Sequence, residues 1–589
     1  MIVPMKKIAV ILQDKDAEDS LRILRKLGIL HIEHQEAPKS KDIALLKDDV
    51  SILNEALGVL SEGARQDVKE KKETSDWRAL AKHLVDCRNR IRQLEQFAVT
   101  LKNRIAEWQL WGDFSPSEIQ SLVKKGIFLR FYRIPAKEIK NLPPSLSIKK
   151  IFSSGDIVGC VVISQENIDI PYKEILPPKM GLGDMQKRLS EDLQIIQSLK
   201  KEISDSLCFK EQLIKAKDAL FKEIEFNEAL SGMAREGELS YIVGYIPYDK
   251  AALLEVQASK NKWGLLIEEP SERDAVPTLV RNPRWVSVIR PVFRIIEVIP
   301  GYRELDISLW FLVFFSVFFG MLIGDAGYGL VYFLLTLLFH RKLSSKLENK
   351  SVFYLFYVLS LCAILWGVLT GTYFGQEWFG SSLKPLIPSL RDDKNIQSLC
   401  FFIGATHLTI AHLWRGMVKL PSLTALVDLG WVSILWGAFF LARLLILGEV
   451  LPVFAKWLFV IGGGLVLFFT KPEKNILRSL GAGLGNLLLN LVNNFTDIVS
   501  YIRLFAVGLA TVAVADSFNK MALGIGYNNL IGGLLTSLIL LVGHLLNIVL
   551  GPMSILVHGV RLNVLEFCNH LDIKWSGFSY RPLNEETLT

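Results

Sequence analysis

The chain has 589 residues, of which 50% are hydrophobic and 22% charged, a mixture that neither an ordinary soluble domain nor a plain bundle of membrane spans carries throughout. Two unlike parts are therefore expected. The net charge of +7 comes without any basic-aromatic cluster, which argues against nucleic-acid binding, and in a membrane protein basic residues gather in cytoplasmic loops. The six cysteines (Cys87, Cys160, Cys208, Cys362, Cys400, Cys568) include no C-x-x-C pair, so neither a metal site nor a disulfide framework is expected and the thiols read as reduced.

Residues 1–300 contain no apolar run of the roughly 20 residues a span needs, and the N-terminus lacks the long apolar core of a signal peptide, so this part is expected to stay in the cytoplasm. Residues 5–34 read as extended run, amphipathic helix and extended run, a small βαβ-type unit. Residues 42–110 carry apolar positions at helical spacing (Leu46, Val50, Leu53, Leu57, Leu60, Leu80, Leu84, Ile91, Leu94) amid dense charge, as a long helix or coiled-coil arm does. A second arm spans 183–231 through Met185, Leu189, Leu193, Ile196, Leu199 and Ile203. The segments 127–132, 157–164 and 239–246 are rich in β-branched and aromatic residues and predict small α/β lobes at the arm ends. The fold expectation is a mostly α chain: an elongated coiled-coil strut, then a polytopic helical membrane domain over 301–589. Periodicity alone also fits an ordinary coiled-coil oligomerisation domain.

From residue 307 the apolar runs are 307–340, 352–374, 398–416, 424–446, 451–470, 481–521 and 530–569. About seven single crossings would put the basic groups at His340–Lys342 and Lys350, at Arg415/Lys419 and at Lys471/Lys474/Arg478 outside, against the positive-inside rule. The first run is long enough for roughly 51 Å of helix and carries Gly324, Asp325, Gly327 and Gly329 at its centre. A reversal there gives about eight passes, two long C-terminal helices and cytoplasmic termini.

The stretch 493–510 places Arg503 in an otherwise apolar helix, where a charge costs about 3 kcal/mol on insertion scales. Asn493, Thr496, Asp497 and Ser500 lead to it at steps of three or four, and small residues follow (Ala506, Gly508, Ala510). The last run holds a second stripe at alternating steps of three and four: His544, Asn547, Gly551, Ser554, His558, Arg561 and Leu565, with Glu566 near its end. Each stripe also fits a structural role, Arg503 reaching an interface or tying helices, the second stripe acting as a packing seam.

Gly-Asp-Ala-Gly-Tyr-Gly at 324–329, Trp366-Gly367, Gly371-Thr-Tyr-Phe-Gly375, Gly404-x-x-His407, the block 500–510, Gly543-His544-x-x-Asn547 and His558-x-x-Arg561 occur in this order along the chain. Together they resemble the membrane subunit of V/A-type ATPases, subunit I in prokaryotes and subunit a in eukaryotes. The resemblance implies a stator without nucleotide site, cofactor or metal. It would be a multi-pass protein of a prokaryotic plasma membrane whose cytoplasmic domain binds peripheral stalks and the central stalk adaptor. Its membrane domain would face a ring of proteolipids, each with a buried carboxylate. Arg503, helped by Arg561, would drive ion release, since charges 4 Å apart attract by about 4 kcal/mol at an effective dielectric near 20. Asn493 to Ser500 would line one half-channel, and His544, Asn547, Ser554, His558 and Glu566 are further lining candidates. The chain departs from eukaryotic relatives at Thr511 and Gly551, which replace a histidine and an acid. The rival reading is a stand-alone transporter or channel with a regulatory domain, using Asp325 and Arg503 as a buried pair.

Overall fold

The computed structural model describes residues 1–62, 76–139, 142, 146–166, 170–344, 350–375, 385–470, 476–527 and 529–585. Lys471 and Lys474, two of the basic residues used to orient the spans, lie outside this set. The fold is mostly helical with two small sheets, and it divides into two compact units.

One unit comprises residues 13–21 and 34–240. Its arms are Lys41–Glu62 with Trp77–Trp108, and Leu182–Asp205 with Lys210–Ser231. The apolar positions read from periodicity form its core: Val50, Leu53, Leu60, Leu84, Ile91, Leu94, Ile196 and Ile203 are buried together, with Leu46, Leu57, Leu80 and Leu199 packed on them. The first arm is not one continuous helix. Arg78 pairs with Asp49, and Val59 lines a groove with Ile91, so Trp77–Trp108 starts again beside Lys41–Glu62 and runs the same way. Leu193 is exposed and its neighbour Asp192 buried. Beyond the arms, strands Phe128–Pro135, Ser147–Ser154, Ile157–Ser164 and Glu174–Ile175 form an antiparallel sheet.

The other unit contains residues 1–12, 22–33 and 241–589. The two extended runs of the N-terminal segment, Met5–Gln13 and His31–Glu33, share a sheet but do not pair. Leu239–Pro247 lies between them, and Gly264–Glu268 closes the far edge. A local β-α-β reading misses a strand arriving from two hundred residues away. The Lys7 ammonium and Ser271 hold the Asp274 carboxyl down at about 2, tying the strand Met5–Gln13 to the loop after the sheet. The C-terminal tail returns to the same lobe: Leu583 N–H donates to Leu30 O (2.8 Å), Thr278 N–H to Phe578 O (2.8 Å), and Tyr580 Oη–H to Ile29 O.

Five helices among the described residues are long and apolar enough to cross a membrane, Ser351–Thr370, Asp393–Lys419, Ala425–Leu447, Leu487–Ile525 and Leu530–Leu571, and Ser308–Ile323 and Val453–Phe469 are shorter apolar helices. The first apolar run is broken where its glycines stand. Ser308–Ile323 ends at left-handed Gly324 (φ 68°), and Asp325 caps the helix Ala326–Leu343. Gly320 and Gly329, on either side of the break, abut adjacent residues of the third helix, Cys362 and Ala363–Ile364, so the chain reverses at Gly324. Asp325 Oδ1 accepts from Gly327 N–H (2.7 Å) and Tyr328 N–H (3.1 Å), and Oδ2 from Gly375 N–H (2.7 Å). One carboxylate thereby satisfies three backbone donors that lipid would leave bare.

At the reversal a Cβ on Gly367 would overlap the backbone of Ala326, whereas one on Gly464 would meet nothing. Gly367→Ala is expected to lower the unfolding temperature of the detergent-solubilised protein by several degrees and Gly464→Ala to leave it within a degree or so. Equal effects would show that the close approach at Gly367 does not hold the reversal.

Candidate functional site

Arg503 owes its position to a break that its sequence does not announce. The helical span Leu487–Ile525 is interrupted at one residue, Tyr501, where Ile476–Ser500 passes into Ile502–Ile525. Tyr501 is fully buried: its ring covers Gly404, and its hydroxyl lies 2.8 Å from Nδ1 of His407, which is itself stacked between Phe314 and Phe567. A side chain on Gly404 would displace that ring, which explains the small residue one turn before His407. Deeper along the helix, Gly508 sits against Met321 O, fixing the Arg503 helix to the first hairpin.

The guanidinium of Arg503 reaches Ser500 Oγ (2.9 Å) and Glu566 Oε1 (3.3 Å) through Nη2, while Nη1 is buried without a hydrogen-bond partner. Glu566 is 5% exposed, and the same oxygen lies 3.7 Å from Nε of Arg561, whose side chain is 53% exposed. Two cations thus share one carboxylate and leave an excess positive charge. The helix Leu530–Arg561 passes into a π-helical segment, Leu562–Phe567. In α-helical register Leu565 would follow Arg561 on the stripe, but the i→i+5 repeat of a π turn brings Glu566 there instead. The sequence spacing therefore named the wrong neighbour: the stripe ends on a carboxylate.

The remaining candidates fall into two groups. Asn493, Thr496 and Asp497 line a cavity of about 510 Å³ with Asn490, Asn494, His412, Arg415, Asn569 and His570. In its wall runs a chain of contacts: Asp428 Oδ1 to His412 Nδ1 (3.4 Å), His412 Nε2 to His570 Nδ1 (2.8 Å), His570 Nε2 to Asp497 Oδ2 (3.1 Å). Asp428 is buried and also binds Arg415 and Lys419. Sequence reasoning missed His412, Asp428 and His570, because the partner of each lies on a different helix. The signal available was Arg415 and Lys419 one turn apart beside an acid in the next apolar run.

His544 and Asn547 occupy helix-packing positions. His544 Nδ1 lies 2.7 Å from Tyr328 Oη, and Asn547 donates to Thr511 O (2.9 Å), eight residues or about 12 Å beyond Arg503. Ser554 and His558 are half-buried, with His558 Nδ1 unpartnered. A second, smaller cavity of about 180 Å³ lies beside Gly324 and is lined by Thr370, Thr372, Arg391, Asp393, Leu504, Phe505 and Gly508 rather than by the second stripe. Asp497 lines one cavity and Leu504 the other, about 10 Å apart along the chain with Arg503 between them. Asp325 and Arg503 do not pair, since each has its own partners.

A helical protein of many apolar segments, with a buried glutamate shared by Arg503 and the half-exposed Arg561 and with polar cavities on either side of Arg503, has the architecture of an ion-translocating membrane subunit. No family model matches the chain. It is 34% identical over 99% of its length to the V-type ATP synthase subunit I of Borreliella burgdorferi, covering 100% of that protein. It is 29% identical to the V-type ATP synthase subunit I 1 of Treponema pallidum, over 99% of this chain and 100% of that one. The A-type ATP synthase subunit I of Methanocaldococcus jannaschii matches at 26% identity over 64% of this chain and 61% of its own. The chain belongs to the V/A-type ATP synthase subunit I family, and is a membrane component of a rotary ATPase.

The geometry separates the two arginines. In a double-mutant cycle measured by unfolding in detergent, Arg503 and Glu566 are expected to couple by about 1–3 kcal/mol and the half-exposed Arg561 with Glu566 by under about 1 kcal/mol. Equal couplings would overturn this ranking.

Proposed function

We propose that this chain is the stator that exchanges ions with a rotating proteolipid ring, and that the residues doing so are Arg503, Arg561 and Glu566 with the two cavities as offset half-channels. The observation that carries the reading is the imbalance of charge around Glu566. A ring carboxylate arriving beside Arg503 would meet the unpartnered Nη1 and the uncompensated positive charge, which favour its ionised form. Arginine cannot release its own proton, so it attracts the carboxylate without passing ions between the half-channels. The exposed face of its helix carries small residues, Ala506, Ala510, Ala513 and Ser517, against which another helix could move closely.

The cavity lined by Asn493, Thr496 and Asp497 would serve one side, with the Asp428–His412–His570–Asp497 chain able to relay protons along its wall. The cavity beside Gly324 would serve the other. Each elementary charge crossing about 100 mV brings roughly 2.3 kcal/mol, to be converted to torque only if the stator is held. The coiled-coil part, residues 1–300, would hold it by docking peripheral stalks and the central stalk adaptor in the cytoplasm. Two observations favour about eight passes. The chain reverses at Gly324, and the segment after residue 571 hydrogen-bonds the lobe built from residues 1–33, which needs an even number of crossings.

Arg503→Ala and Arg503→Lys are expected to abolish ATP-coupled ion pumping in an assembled complex that still co-purifies with its ring and ATPase head. Arg561→Ala should reduce pumping only partly. Retained coupling in the Arg503 variants would remove the mechanism, and complete loss in Arg561→Ala would reverse the ranking. Cysteine substitution at Ser344 or Lys350 is expected to label from the cytoplasmic side only; labelling from outside would sink the eight-pass topology.

A further inference from the structure

We infer that His83, Cys87 and Glu202 form a binding site for one zinc-class divalent cation that staples two helices of the coiled-coil arms. The three residues lie within one compact unit, His83 and Cys87 a turn apart on Trp77–Trp108 and Glu202 near the end of Leu182–Asp205. His83 Nε2 stands 2.8 Å from Glu202 Oε1 and 3.5 Å from Cys87 Sγ, and the three ligand atoms all lie within 4.8 Å of one another. A tetrahedral zinc ion with bonds of about 2.0–2.3 Å would need ligand atoms roughly 3.3–3.8 Å apart, within small side-chain rotations of this arrangement.

The protein contacts alone leave the imidazole nitrogen over-subscribed. Nε2 bears at most one hydrogen, yet it faces both an acceptor carboxylate and a thiol, so one of the two contacts is poor in either tautomer. A cation at the centre would satisfy all three at once, with the nitrogen lone pair, the thiolate and the carboxylate pointing inward. Nitrogen, sulfur and oxygen donors together select zinc-like ions over magnesium or calcium, which prefer all-oxygen sites. Access comes from solvent, because the side chains of His83 and Glu202 are each 51% exposed, while Cys87 sits in the core row between Leu84 and Ile91. Three protein ligands leave the fourth position to water. The bland alternative is a surface His–Glu pair above a small core thiol.

No C-x-x-C spacing announces this group, because the third donor arrives from a helix more than a hundred residues later.

The test uses the full chain, without an affinity tag, in detergent under reducing conditions. Titration with Co²⁺ is expected to saturate at one equivalent and give the absorption of a thiolate–cobalt bond, with Zn²⁺ displacing it and about a thousandfold excess of Mg²⁺ failing to do so. Cys87→Ser should remove the band, and His83→Gln, at an exposed position, should weaken binding more than about 100-fold, beyond what loss of a supporting contact costs. Zn²⁺ should also slow amide exchange in Trp77–Trp108 and Leu182–Asp205 of the parent chain and not of His83→Gln. Absence of the band, its survival in Cys87→Ser, or undiminished affinity in His83→Gln would each overturn the assignment.

Discussion

Lipid supplies no hydrogen bonds and no counter-ions, so each polar group the membrane half brings inside must meet a partner from the same chain. That requirement accounts for the most specific residues in the structure. Asp325 answers three backbone donors at the reversal, and Tyr501 and His407 answer each other at the break before the arginine. Asp428 answers Arg415, Lys419 and His412. The group around Glu566 departs from this matching: two guanidiniums share one carboxylate, and one guanidinium nitrogen is left over.

Much of the architecture can be read along the chain because hydrophobicity is a local property. The apolar runs mark the helices, and the core positions of the arms follow from spacing. The reversal follows from Gly324 and Asp325, since left-handed backbone and a capping carboxylate are needed together there. Arg503 is legible for the opposite reason, being a charge where charge is expensive.

What could not be read depends on groups distant in sequence. The interruption at Tyr501, whose hydroxyl meets His407 on another helix, has no signal in the local sequence. The π segment at Leu562–Phe567 replaces Leu565 by Glu566 beside Arg561, and α-helical spacing points to the wrong residue. His412, Asp428 and His570 are unremarkable singly and become a wall of contacts when three helices meet. The partners of His544 and Asn547, the hydroxyl of Tyr328 and the carbonyl of Thr511, likewise lie on other helices and cannot be read from spacing.

The return of the C-terminal tail to the N-terminal lobe has a mechanical meaning. With Thr278, Leu30 and Ile29 all hydrogen-bonded to residues beyond 577, the membrane helices are held by the lobe at both ends of the sequence, by the covalent path near residue 300 and by the tail. A chain anchored at one end swivels about its linker, whereas one gripped at two separate places resists twisting. Sideways drag on the outer helices would reach the lobe as a couple shared between two attachments, and cutting the tail would turn a brace into a hinge.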